Sequence, residues 1–119
     1  MERISIVRKW QKVGVVLLLA FPFAITHPAQ AQAGNTANGQ KVFQEKCAKC
    51  HGKDGSGNTS YGKALGAADL RLADVQKKSD ADFYTQIDKG KKSMPPFGAI
   101  LDKTQINDVI AYVRQFGKK

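Results

Sequence analysis

Both cysteines of this 119-residue chain fall within five residues, Cys47-Ala48-Lys49-Cys50-His51. No other feature constrains the fold as strongly. A redox-active Cys-x-x-Cys pair belongs beside a βαβ pattern, and the sequence shows none. A plain structural disulfide gives His51 no role. A zinc centre takes four protein ligands, and the chain beyond its first 33 residues offers only these three thiol and imidazole donors. The spacing suits a different use. Thiols about one helical turn apart can reach the vinyl groups of a single porphyrin, and the following residue projects its imidazole under the ring. Neutral imidazole is a standard axial donor to iron. The pentapeptide therefore reads as the attachment signature of one covalent c-type haem.

The first 33 residues read as a leader. Arg3, Arg8, Lys9 and Lys12 stand against a single Glu2, an apolar run covers residues 13–25, and Ala29-Gln30-Ala31-Gln32-Ala33 ends it. A basic start, an apolar middle and small residues at alternate positions make a secretory signal, cleaved after Ala33 or, as the alternative, after Ala31. Retention as an anchor is the rival, but a bilayer takes about 20 apolar residues and Pro22 interrupts this run. Removal of residues 1–33 leaves a domain of residues 34–119 with no transmembrane segment. Of 19 Lys and Arg, four leave with the leader, and one of ten Asp and Glu; the remaining 15 and 9 give a net charge near +6. Such a domain favours acidic partners, and export to a periplasmic or similar compartment excludes nucleic acid as a partner.

A domain this small often needs a staple, and a haem supplies one. Asn35 or Thr36 can cap a first helix over about 37–49, with Gly39 at its middle. Residues 52–60 are loop by composition. Over 61–78 only Leu70, Leu72 and Val75 offer apolar anchors. Ser79 opens a helix bearing Phe83, Tyr84 and Ile87, and Gly90 ends it. Pro95 and Pro96 keep the Lys91–Gly98 segment out of helix. Asp102 and Gln105 form a capping box ahead of Ile106, Val109, Ile110 and Val113, which follow helical spacing; Gly117 ends that helix. No strand or repeat is evident. The expected fold is all-α: three to five short helices and long loops wrapped around the haem.

With His27 and Met1 gone with the leader, His51 and Met94 are the only histidine and methionine left. They are the candidate axial pair, a known cytochrome arrangement; lysine ligation would need a deprotonated amine. A lone methionine is ordinarily core filler, but Met94 lies in a loop stiffened by prolines.

The region 37–117 resembles class I cytochromes c, above all the small bacterial mono-haem type, and also the haem domains of cbb3-type oxidase subunits. Four stretches carry the likeness: Asn38–Phe43, Cys47–Gly57, Gly90–Gly98 with Met94-Pro95, and Asp108–Arg114. The resemblance implies a crossing of first and last helices at which Gly39 meets Tyr112, with Phe43 nearby. It also implies a backbone carbonyl that accepts the N–H of His51. Relatives commonly place a proline there; this chain reads Gly66-Ala67-Ala68-Asp69-Leu70, so Ala68 or a neighbour must serve. The implied function is one-electron transfer, without an enzyme activity, between transient donor and acceptor proteins. A rim of Lys46, Lys49, Lys53, Lys91 and Lys92 would steer acidic partners. The alternatives are a haem subunit of a larger respiratory complex, or a ligand-binding sensor or peroxidase if Met94 dissociates.

Overall fold

The computed structural model describes residues 33–119. The expected leader therefore lies, apart from Ala33, outside the described residues. Six α-helices follow in order: α1 Thr36–Lys46, α2 Ala48–His51, α3 Ser60–Leu65, α4 Ala73–Gln76, α5 Asp80–Lys89 and α6 Lys103–Val113, with a closing 3₁₀ segment Arg114–Lys118. Among the described residues the only β pairing is an isolated bridge between Lys91 and Met94. The all-α expectation holds. The helix count exceeds the expected three to five because α2 and α4 are single turns.

The helix ends follow side-chain chemistry. Asn35 caps α1 by accepting from Asn38 N–H, and Thr59 caps α3 through Gly62 N–H. Reciprocal capping boxes open α5 at Ser79/Asp82 and α6 at Asp102/Gln105. Each satisfies backbone donors that a helix start otherwise leaves bare. Gly90 closes α5 at φ 74°. The first helix stops three residues short of the expected Lys49: Cys47 sits at φ −113°, and the chain re-enters helix at Ala48. Past Val113 the last helix tightens into 3₁₀ turns instead of running to Gly117, and this buries Phe116.

The core lies where α6 crosses α1, its principal partner. Phe43, Ile106 and Val109 are fully buried there. The backbones touch at Gly39: a Cβ at that position would run into the carbonyl of Asp108. Tyr112, which the resemblance implied at this crossing, lies one turn further along α6 than that nearest approach and stacks on Phe43 with ring centroids 5.3 Å apart; both rings meet Phe116. Buried Asp108 fastens the start of α1, accepting from Asn35 N–H and from Asn38 Nδ2, both at 2.6 Å. Of the anchors in 61–78, Leu70 is buried and Val75 partly so, whereas Leu72 is 56% exposed.

Candidate functional site

The helices leave a cavity of about 800 Å³, within the range of ligand and cofactor pockets. Cys47, Cys50, His51 and Met94 all line it. A smaller inner pocket of about 50 Å³ continues behind it, reached by Cys47, His51 and Met94 and walled by Phe43, Leu70, Phe83, Ile87, Val109 and Val113. The sequence-derived donors therefore converge on one apolar slot.

Each donor is held by its local structure. The turn of α2 places Cys47, Cys50 and His51 on the same wall, and no disulfide joins the cysteines. Burial, reinforced by the neighbouring Cys50, pushes the Cys47 thiol up to about 12; at neutral pH it is protonated. His51 Nδ1 lies 3.0 Å from the Ala68 carbonyl. A carbonyl only accepts, so Nδ1 carries the proton and Nε2 keeps its lone pair free for a metal. Ala68 takes the carbonyl position without a proline because its loop is tied on both sides. Leu70 N–H donates to Gly55 O at 2.7 Å, Ala67 N–H donates to Gly62 O at 2.8 Å, and Gly57 leaves no room for a Cβ against the Ala67 carbonyl. Beyond it Arg71 forks onto Asp69, whose carboxyl falls to about 2 through those hydrogen bonds.

Met94 sits in a tight turn whose ends exchange backbone hydrogen bonds, Lys91 N–H to Met94 O and Met94 N–H to Lys91 O, each 3.0 Å. Phe97 N–H donates to Ile87 O and Gly98 N–H to Asp88 O, pinning the segment back onto α5. The Met94 sulfur lies 3.8 Å from Gln86 Nε2. Among the described residues, no cluster of three or more His, Cys, Asp or Glu could hold a bare metal ion. The donor set instead fits haem c: free thiols on one turn, an imidazole fixed in the ligating tautomer, a thioether on a separate rigid loop, and an apolar cavity.

The cavity mouth is lined by Lys46, Lys49, Lys78, Lys91 and Lys92 and by no carboxylate. Lys53, expected on this rim, is not among its lining residues. Lys78, Gln86, Tyr61 and Leu65 belong to the site but were not singled out from sequence. Gln86 was detectable in principle, since it follows Phe83 by three residues on α5 and so shares its cavity-facing side. Tyr61 and Leu65 lie on α3, which Thr59 ties to α2 by donating to the Lys49 and Cys50 carbonyls; Lys49 Nζ rests 4.0 Å from the Tyr61 ring centroid.

Comparison with known proteins places this site in a family. Residues 34–113 match the family model described as cytochrome c oxidase, cbb3-type, subunit III. Cytochrome c6 of Rippkaea orientalis (strain PCC 8801 / RF-1) is 38% identical over 101 residues, covering 85% of this chain and 88% of that one. Cytochrome c6 of Gloeothece citriformis (strain PCC 7424) is 34% identical, covering 90% and 94%. Among solved structures, the KustC0563 c-type cytochrome superposes with a TM-score of 0.61 at 35% identity, over 66% of this chain and 95% of its own. The chain belongs to the c-type cytochromes: it is an electron carrier with one covalently attached haem c, not an enzyme.

Proposed function

We propose that Cys47 and Cys50 hold the haem through thioether bonds, and that His51 Nε2 and Met94 Sδ are its axial donors. The convergence of these four residues on one apolar cavity carries this reading. When bound, the haem supplies one-electron Fe(III)/Fe(II) chemistry. The chain's own groups set the terms. His51 is oriented by Ala68, and Met94 offers a soft sulfur that favours Fe(II) and hence a positive potential. Phe43, Val109 and Val113 exclude water behind the ring. With both axial positions taken by side chains, no position is left for a substrate.

The electron donor and acceptor are proteins with acidic docking surfaces, bound transiently. Five mouth-lining lysines with no carboxylate among them support this, since such a rim raises association rate more than affinity. The working compartment is the periplasm or an equivalent extracytoplasmic space, reached with loss of residues 1–33. The description of the matched family model favours a second reading, a haem subunit of a larger oxidase. Matches along most of the length of two cytochromes c6 favour the free carrier. A sensor or peroxidase role requires Met94 to leave the iron.

The test is the optical spectrum of the purified, haem-loaded protein beside its Met94→Ala variant. The parent should show sharp low-spin bands when reduced and a weak far-red sulfur-to-iron band when oxidised. The variant should lose that band, turn high-spin and bind carbon monoxide rapidly. A parent already high-spin would reject Met94 as ligand and advance the sensor reading.

A further inference from the structure

The inner pocket is walled by thirteen residues, and Lys78 is the one lysine or arginine among them, with no Asp or Glu. The other mouth lysines, Lys46, Lys49, Lys91 and Lys92, line the outer cavity alone. Lys78 is itself exposed, so it lines the pocket at its solvent edge beside Phe83, Val75 and Ile87, where it is free to take a counter-charge held in the cavity. The protein does not provide one. Among the described residues Lys78 forms no ion pair. The carboxylate that senses it is Asp82, which is already bonded to Ser79, and Lys78 is the smallest of the influences on that group.

The backbone at Lys78 is fixed with unusual thoroughness. Arg114, at the end of α6, donates to the Gln76 carbonyl and the Lys78 carbonyl, both at 2.6 Å. The same guanidinium forks onto Asp80 at 2.6 and 2.9 Å and lies 4.6 Å from the Phe83 ring centroid. A planar, five-donor cation spends nearly all its capacity on the three-residue link between α4 and α5 and the residues that flank it. The link is therefore stationary relative to the cavity, and the lysine stem leaves it from a set point.

Haem c carries carboxylate side chains on its periphery, the one anionic group the cavity receives. We propose that Lys78 pairs with a haem carboxylate and thereby raises the reduction potential. This rests on the haem site proposed above. An uncompensated carboxylate near the iron favours Fe(III) over Fe(II); an ammonium beside it cancels part of that field, an effect that water at the exposed Lys78 screens in part. Lys78 is thus a positioning and tuning residue, and Arg114 holds it in place.

The test is the midpoint potential of the haem-loaded protein for Lys78→Gln, Lys78→Glu, Lys78→Arg and Lys77→Gln. Lys77 is the control: it carries the same charge one residue away, lines neither cavity and pairs with Asp74 at 2.9 Å. The potential should fall in Lys78→Gln, fall further in Lys78→Glu, and stay near the parent value in Lys78→Arg and Lys77→Gln. An unchanged Lys78→Gln, or an equal fall in Lys77→Gln, overturns the proposal by showing no local pairing or only a net-charge effect. The far-red band, recorded on the same samples, separates this from the axial assignment. Its absence in the parent rejects Met94 as ligand, yet the ranking of the Lys78 variants still decides the pairing.

Discussion

Lys92 is the only non-glycine described residue in the left-handed region, at φ 54°. It is the first central residue of the two-residue turn that carries Met94, a position where glycine is preferred. A side chain there costs about 1–2 kcal/mol. The outlier falls where the ligand loop meets the cavity mouth, and strain of this kind concentrates at functional sites. The same turn brings the lysine to the cavity rim. Lys92→Gly and Lys92→Ala both remove that charge, but only glycine relieves the backbone. Lys92→Gly should therefore exceed Lys92→Ala in unfolding free energy by about 1 kcal/mol, read from denaturant midpoints of the haem-loaded protein.

At the scale of elements, the crossing of α1 on α6 is set by a glycine facing backbone. A methyl group at Gly39 would meet the Asp108 carbonyl and Val109 nitrogen, neither of which can swing aside as a side-chain tip could. Gly39→Ala, normally a gain of about 1 kcal/mol in a helix interior, should instead destabilise by at least about 1–3 kcal/mol, measured by thermal or denaturant melting. The sequence carried α5 and α6 plainly, since each joins a capping box to apolar residues at helical spacing. It did not carry α3 and α4, whose six and four residues are too short for a period to emerge. Such helices cannot support their own nucleation; Thr59 and the Arg114 clamp hold them through contacts distant in sequence. The same distinction applies to the site. Cys47, Cys50, His51 and Met94 were legible because their chemistry and scarcity mark them. Lys78 and Gln86 are ordinary polar residues until folding brings them to the cavity wall. Gly39 was recognised as a contact and Tyr112 was placed near Phe43, but the nearest approach of backbone, at Asp108, could not be read from the likeness.

For the whole molecule, the charge distribution decides how it meets others. Five lysines around one opening make a field that extends about a Debye length, about 8 Å at physiological salt. The double variant Lys49→Glu, Lys92→Glu should slow electron transfer to an acidic partner and flatten its dependence on ionic strength, measured by stopped-flow mixing across a salt series. An unchanged slope would mean that the rim is only solvated surface. The join between Asn35 and Asp108, 73 positions apart, has a consequence in time as well as space. A chain delivered from its N-terminus presents Cys47 and Cys50 long before Val109 and Val113, the residues of α6 that wall the cavity behind them. Both cysteines spend that interval in open solution, and once the fold closes around Cys47 its thiol is pushed up to about 12. Covalent loading is therefore easiest between the emergence of the motif and the arrival of the last helix, because a chain that folds first meets its cofactor with Cys47 already held protonated.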